Sequence, residues 1–86
     1  MSQQKAALFS VIARAPFHIY YEGPAKLVSA QNQVGRFDIL PGHADFFSIL
    51  SPGEVMIGAE PEPMIFQVAN GIISVRGDEV MLFVNI

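Results

Sequence analysis

Two histidines and a scatter of carboxylates are the residues through which this chain could do chemistry. His43 and Asp45 form a His-x-Asp pair directly after Pro41-Gly42. Imidazole beside carboxylate suits a general base or a metal site, but either needs another ligand or a nucleophile nearby. His18 supplies one only if the fold brings its strand to the loop, and no spacing requires that. His18, His43 and Asp45 therefore define one rival reading, a small metal-dependent enzyme. Glu60 and Glu62 flank Pro61. Glycosidase carboxylates face each other across a cleft, so a solvated acidic loop is the expectation here. Ser48, Ser51 and Ser74 stand outside any G-x-S-x-G context. No glycine-rich phosphate loop leads into a helix. Cysteine is absent, which removes thiol, disulfide and Cys-metal chemistry. The expectation is no catalytic residue, no metal and no cofactor.

The elements that must position these residues read as strands. Leu8–Ile12, Phe17–Tyr21, Lys26–Ala30, Arg36–Ile39, Phe46–Leu50, Val55–Ile57, Ile65–Val68, Ile72–Val75 and Val80–Val84 are short apolar or alternating runs. Gly, Pro, Asn or Asp separates most of them. Asn70-Gly71 carries the signature of a type I′ hairpin, and Arg76-Gly77-Asp78 reads as a second tight turn. Arg-Gly-Asp is also an adhesion tripeptide of secreted proteins, but no signal peptide accompanies it. No long segment shows a helical period. About nine or ten short, mostly antiparallel strands predict an all-β fold, a two-sheet β-sandwich or flattened barrel. Alternation places Phe37, Ile39, Ile57, Phe66, Val68, Ile73, Val75, Leu82 and Val84 in the core. Phe46 and Phe47 are adjacent in one strand and so face opposite ways. Both can be buried only if both faces of that strand are covered, which makes the pair a pointer to a partner surface.

Size and composition narrow the function. Eighty-six residues make one domain, expected as an ordered sandwich over residues 8–86 behind a polar tail at 1–7. Hydrophobic residues are 51% and charged residues 15%, rich in apolar side chains for a small monomer. The net charge is −3, and Lys5, Arg14, Lys26, Arg36 and Arg76 are scattered. Without a basic stripe, nucleic acid is not an expected partner. The longest unbroken apolar run, Val80–Val84, is far below a membrane span. Any membrane association is expected to be indirect, through another protein.

One block is specific enough to carry a family. Gly35-Arg36-Phe37-Asp38-Ile39-Leu40-Pro41-Gly42-His43-Ala44 is followed by Leu50-Ser51-Pro52-Gly53-Glu54-Val55-Met56-Ile57 and by Phe66-Gln67-Val68-Ala69-Asn70-Gly71. Upstream, Tyr21-Glu22-Gly23 fits the aromatic-x-Gly that ends the second strand. This order resembles the N-terminal β-sandwich domain of the rotary ATP synthase epsilon subunit, called delta in mitochondria. The likeness runs over residues 8–86. It implies a non-catalytic central-stalk subunit that binds the gamma subunit and the c-ring and couples proton flow to ATP synthesis. It implies that His43, Ala44, Asp45 and Phe46 face gamma, and that the c-ring position is Arg36. The resemblance also implies a peripheral location on the cytoplasmic side of a bacterial inner membrane, or on the matrix or stroma side in an organelle. Arg36 stands where the family places an acid, and Asp38 where it places a small residue. The family continues into a helical hairpin that carries ATP-hydrolysis inhibition and, in some bacteria, ATP binding. Neither function is expected of this sequence, which reaches only Ile86. A stand-alone β-sandwich interaction module is the alternative, and self-association of the isolated domain through uncovered apolar surface is a further expectation.

Overall fold

A computed structural model describes residues 7–86, and every regular element within them is a strand. The strands are β1 (Phe9–Ala15), β2 (His18–Ala25), β3 (Val28–Asn32), β4 (Gly35–Ile39), β5 (Phe46–Leu50), β6 (Gly53–Ile57), β7 (Met64–Val68), β8 (Asn70–Arg76) and β9 (Glu79–Asn85). They form a five-stranded sheet, β2-β1-β9-β8-β5, and a four-stranded sheet, β4-β3-β6-β7. All pairings are antiparallel except β1 with β9, which run parallel from Ser10↔Glu79 to Arg14↔Phe83. The predicted β-sandwich is the observed architecture. Of the expected tail, residues 1–6 lie outside the described residues and Ala7 is exposed, while Leu8, expected to open the first strand, is exposed and precedes it.

Strict alternation builds the core. In β9, Val80, Leu82 and Val84 are buried while Glu79, Met81, Phe83 and Asn85 are exposed. β1 adds Phe9, Val11 and Ala13, and β3 adds Val28 and Ala30. Seven of the nine residues expected in the core are buried, while Phe37 and Phe66 are half-buried and packed against it. Tyr20 stacks on Phe66 at 5.7 Å, so β2 lies over β7. Phe37 meets Phe46 edge-on at 5.4 Å, so β4 lies against β5.

Three local expectations need correction. The first strand does not end at Ile12. It continues to Ala15, past a register shift at Ala13/Arg14 where β2 carries one extra residue, Tyr20. Phe17 is therefore not in a strand but at the fully exposed tip of the β1–β2 turn. Asn70-Gly71 is not a hairpin turn. The chain crosses there from one sheet to the other, and both residues pair with β9 as Asn70↔Asn85 and Gly71↔Val84. Glycine is needed at 71 for closeness, because a Cβ there would run into the Phe83 carbonyl oxygen. Arg76-Gly77-Asp78 does form a hairpin turn, between β8 and β9, with Gly77 in the left-handed region at φ 58°.

Candidate partner interface

The loop between β4 and β5 is built by a turn that its sequence dictates. Pro41 fixes the second turn position and Gly42 takes φ 88° at the third, the pattern of a type II turn. The His43 N–H closes it on the Leu40 carbonyl at 3.0 Å. His43 Nδ1 lies 2.7 Å from the Ala44 carbonyl oxygen. A carbonyl only accepts, so Nδ1 is the donor in this contact. The imidazole also rests on Phe46, ring centres 5.6 Å apart. The backbone N–H of Gly77 donates to Asp45 Oδ1 at 3.0 Å, which ties the loop to the β8–β9 turn.

This geometry assigns different work to the four residues of the loop. His43 and Ala44 are exposed and presented. The Asp45 carboxylate is engaged by the neighbouring turn. Phe46 points inward, half-buried against the core and between the rings of His43 and Phe37. Its neighbour Phe47 points outward and is 63% exposed. Sequence alternation shows that one ring of the pair faces out, but only the sheet assignment shows which.

His18 lies far from this loop. It starts β2 at the opposite end of the sandwich, paired with Ala15 and with its ring edge-on to Tyr20 at 4.5 Å. The fold thus separates His18 from His43 and Asp45. Among the described residues no three His, Cys, Asp or Glu side chains gather as metal ligands. Glu60 and Glu62 sit on the exposed β6–β7 loop, where Glu60 pairs with Lys26 at 3.0 Å.

Arg36 follows Gly35 at the start of β4, the end of that strand remote from His43. Its guanidinium donates to the Glu54 carbonyl at 2.6 Å and to Ser29 Oγ at 2.8 Å. One side chain thereby spans β4, β3 and β6 on the outer face of the four-stranded sheet. Ser29, buried to 8% exposure, gains the polar partner it needs.

The two outer faces differ in character. Around Arg36 the outer face of the four-stranded sheet also carries Gln31, Asp38, Glu54 and Gln67 beside Met56 and Ile65. The outer face of the five-stranded sheet exposes Phe47, Ile49, Ile72, Met81 and Phe83. No helix among the described residues is long and apolar enough to cross a membrane.

Residues 9–86 match the family described as the β-sandwich domain of the ATP synthase delta/epsilon chain. The ATP synthase epsilon chain of Synechococcus elongatus is 34% identical over 71 residues, covering 83% of this chain and 52% of that protein. Epsilon chain 1 of Methylococcus capsulatus is 42% identical over 57 residues, 65% of this chain and 41% of the relative. The chain thus spans about half the length of the curated relatives it matches. A chain of the mitochondrial ATP synthase of Euglena gracilis, solved with its c-ring, superposes with a TM-score of 0.82 at 15% identity. That superposition covers 96% of this chain and 53% of the other, and at such identity it shows the shared fold.

Proposed function

Because the chain belongs to the ATP synthase delta/epsilon β-sandwich family, we propose that it serves as an epsilon-type central-stalk subunit of a rotary proton-translocating ATP synthase. In this reading it has no catalytic site of its own. It binds the gamma subunit through the β4–β5 loop, where His43 and Ala44 make contact and Asp45 and Phe46 hold the loop in shape. It meets the c-ring at the opposite end of β4, around Arg36. Its location is then peripheral, at the membrane face where the synthase head sits, and contact with the membrane runs only through the complex. The observation that carries the reading is the family match over residues 9–86, which includes the exposed, doubly tethered His43 loop. A single strand linking two candidate contact surfaces suits an adaptor between two partners.

Arg36 supports a second reading, a stand-alone interaction module outside the synthase. Its charge is opposite to the acid of the family pattern, and its guanidinium is occupied within the sheet. Titration with the cognate gamma subunit separates the two. His43→Ala combined with Ala44→Arg is expected to weaken gamma binding at least about tenfold while leaving the fold intact, since both residues are exposed. Equal affinity of the variant and the wild type would refute the loop assignment. No binding by the wild type would favour the stand-alone module. Phe46 is unsuited to this test, because its loss would act through the core.

A further inference from the structure

We propose that the outer face of the five-stranded sheet is a self-complementary surface that joins two copies of this chain into a closed dimer. The register sets the outward residues in rows across the sheet. One row runs Phe47–Ser74–Met81–Ile12, the next Ile49–Ile72–Phe83–Arg14, and Arg76 stands opposite Glu79 at the edge. Phe47 and Ile49 on edge strand β5 form a ridge, 63% and 69% exposed. Beside it, over β1 and β9, lies a hollow of about 430 Å³ floored by Ile12, Gly23, Ser74 and Met81.

Ridge and hollow on one face suit a two-fold relation, in which Phe47 of each copy's ridge enters the other's hollow. An axis parallel to the strands and between β8 and β9 exchanges β5 with β1 and β8 with β9. Phe47 of one copy then lies over Ile12 of the other. Ser74 lies over Met81, Ile72 over Phe83, and Ile49 over the stem of Arg14. Arg76 meets Glu79 twice, once from each copy, so the charged edge is complementary to itself. Two stacked sheets pack in this manner about 10 Å apart.

The area is sufficient. At about 200 Å² for a large apolar side chain, the exposed parts of Phe47, Ile49, Ile72, Met81 and Phe83 amount to roughly 500 Å² per copy. Two copies bury about 1,000 Å² before the hollow's lining is counted, about the area that a biological interface must clear. The polar outer face of the other sheet offers no matching surface, so association stops at two.

Analytical ultracentrifugation of the 86-residue chain tests this. The wild type is expected at twice its 9.4 kDa mass at micromolar concentrations and above. Phe47→Asp should return it to the monomer with an unchanged circular-dichroism spectrum. Ile65→Asp, on the other sheet's outer face, should leave the dimer intact. Arg76→Glu and Glu79→Arg should each weaken self-association about tenfold, and mixing the two variants should restore it as a heterodimer. A monomeric wild type, a dimeric Phe47→Asp, a monomeric Ile65→Asp, or no recovery in the mixture would each overturn the proposal. The proposal does not rest on the stalk reading. Gamma titration of the monomeric Phe47→Asp variant keeps the two separable, because the His43 loop is untouched in it.

Discussion

Arg36 shows how one side chain can change occupation when its charge changes. The family resemblance marks its position for an acid that faces a partner. Here a guanidinium stands there and turns along the sheet to the Glu54 carbonyl and Ser29 Oγ. Charge-assisted hydrogen bonds of this kind are each worth about 1.5–3 kcal/mol where they are shielded, and less at an exposed residue. Arg36→Glu removes both donors and sets a new carboxylate between Asp38 and Glu54. The expected cost is about 1–2 kcal/mol in urea denaturation, above that of Arg36→Ala, which loses the donors without adding repulsion. Equal stability of wild type and Arg36→Glu would show that the staple contributes nothing. The substitution at residue 36 was legible in the sequence. Its structural use was not, because Ser29 and Glu54 reach Arg36 only through the pairing of β3 with both β4 and β6.

At the scale of elements, all nine strands were legible from short apolar runs between turn residues, and the boundaries were less so. Alternation identified Ile39, Ile57, Ile73, Leu82 and Val84 as core because each lies on a strand with one face covered. It could not show that β1 and β9, from opposite ends of the chain, lie side by side, since pairing partners leave no local trace. Asn70-Gly71 failed as a turn signal for a specific reason. Asn-Gly reports tolerance of positive φ, whereas Gly71 is required by the approach of the β9 backbone. The two causes predict different costs. Gly71→Ala would place a Cβ against the Phe83 carbonyl and Val84, so the β8–β9 ladder must part, at about 2–4 kcal/mol. Gly77→Ala meets nothing within 4 Å and costs only the left-handed conformation, about 1 kcal/mol. Thermal melts of the pair check the order, and a reversed order would contradict the close-approach argument.

At the scale of the whole molecule, the fold is closed by its two ends. β1 and β9 occupy the middle of the five-stranded sheet, and their parallel pairing joins Ser10 to Glu79 across nearly the entire chain. Closing so large a loop costs entropy before any contact rewards it. Refolding is therefore expected on the millisecond-to-second scale of β-sandwiches rather than in microseconds. The same closure makes the core sensitive at its centre. Leu82 has 0% exposure on β9, where it pairs with Ala13 of β1 and Ile73 of β8. A chain of this size has a total stability of roughly 4–13 kcal/mol. Leu82→Ala should cost about 2–5 kcal/mol, because the buried side chain leaves a cavity that strands held on both sides cannot close. Urea denaturation should show a lower midpoint with an unchanged slope, and stopped-flow refolding should remain a millisecond-to-second process. A loss below about 1 kcal/mol would mean that the sheet centre relaxes into the cavity, contrary to a core clamped by both chain ends.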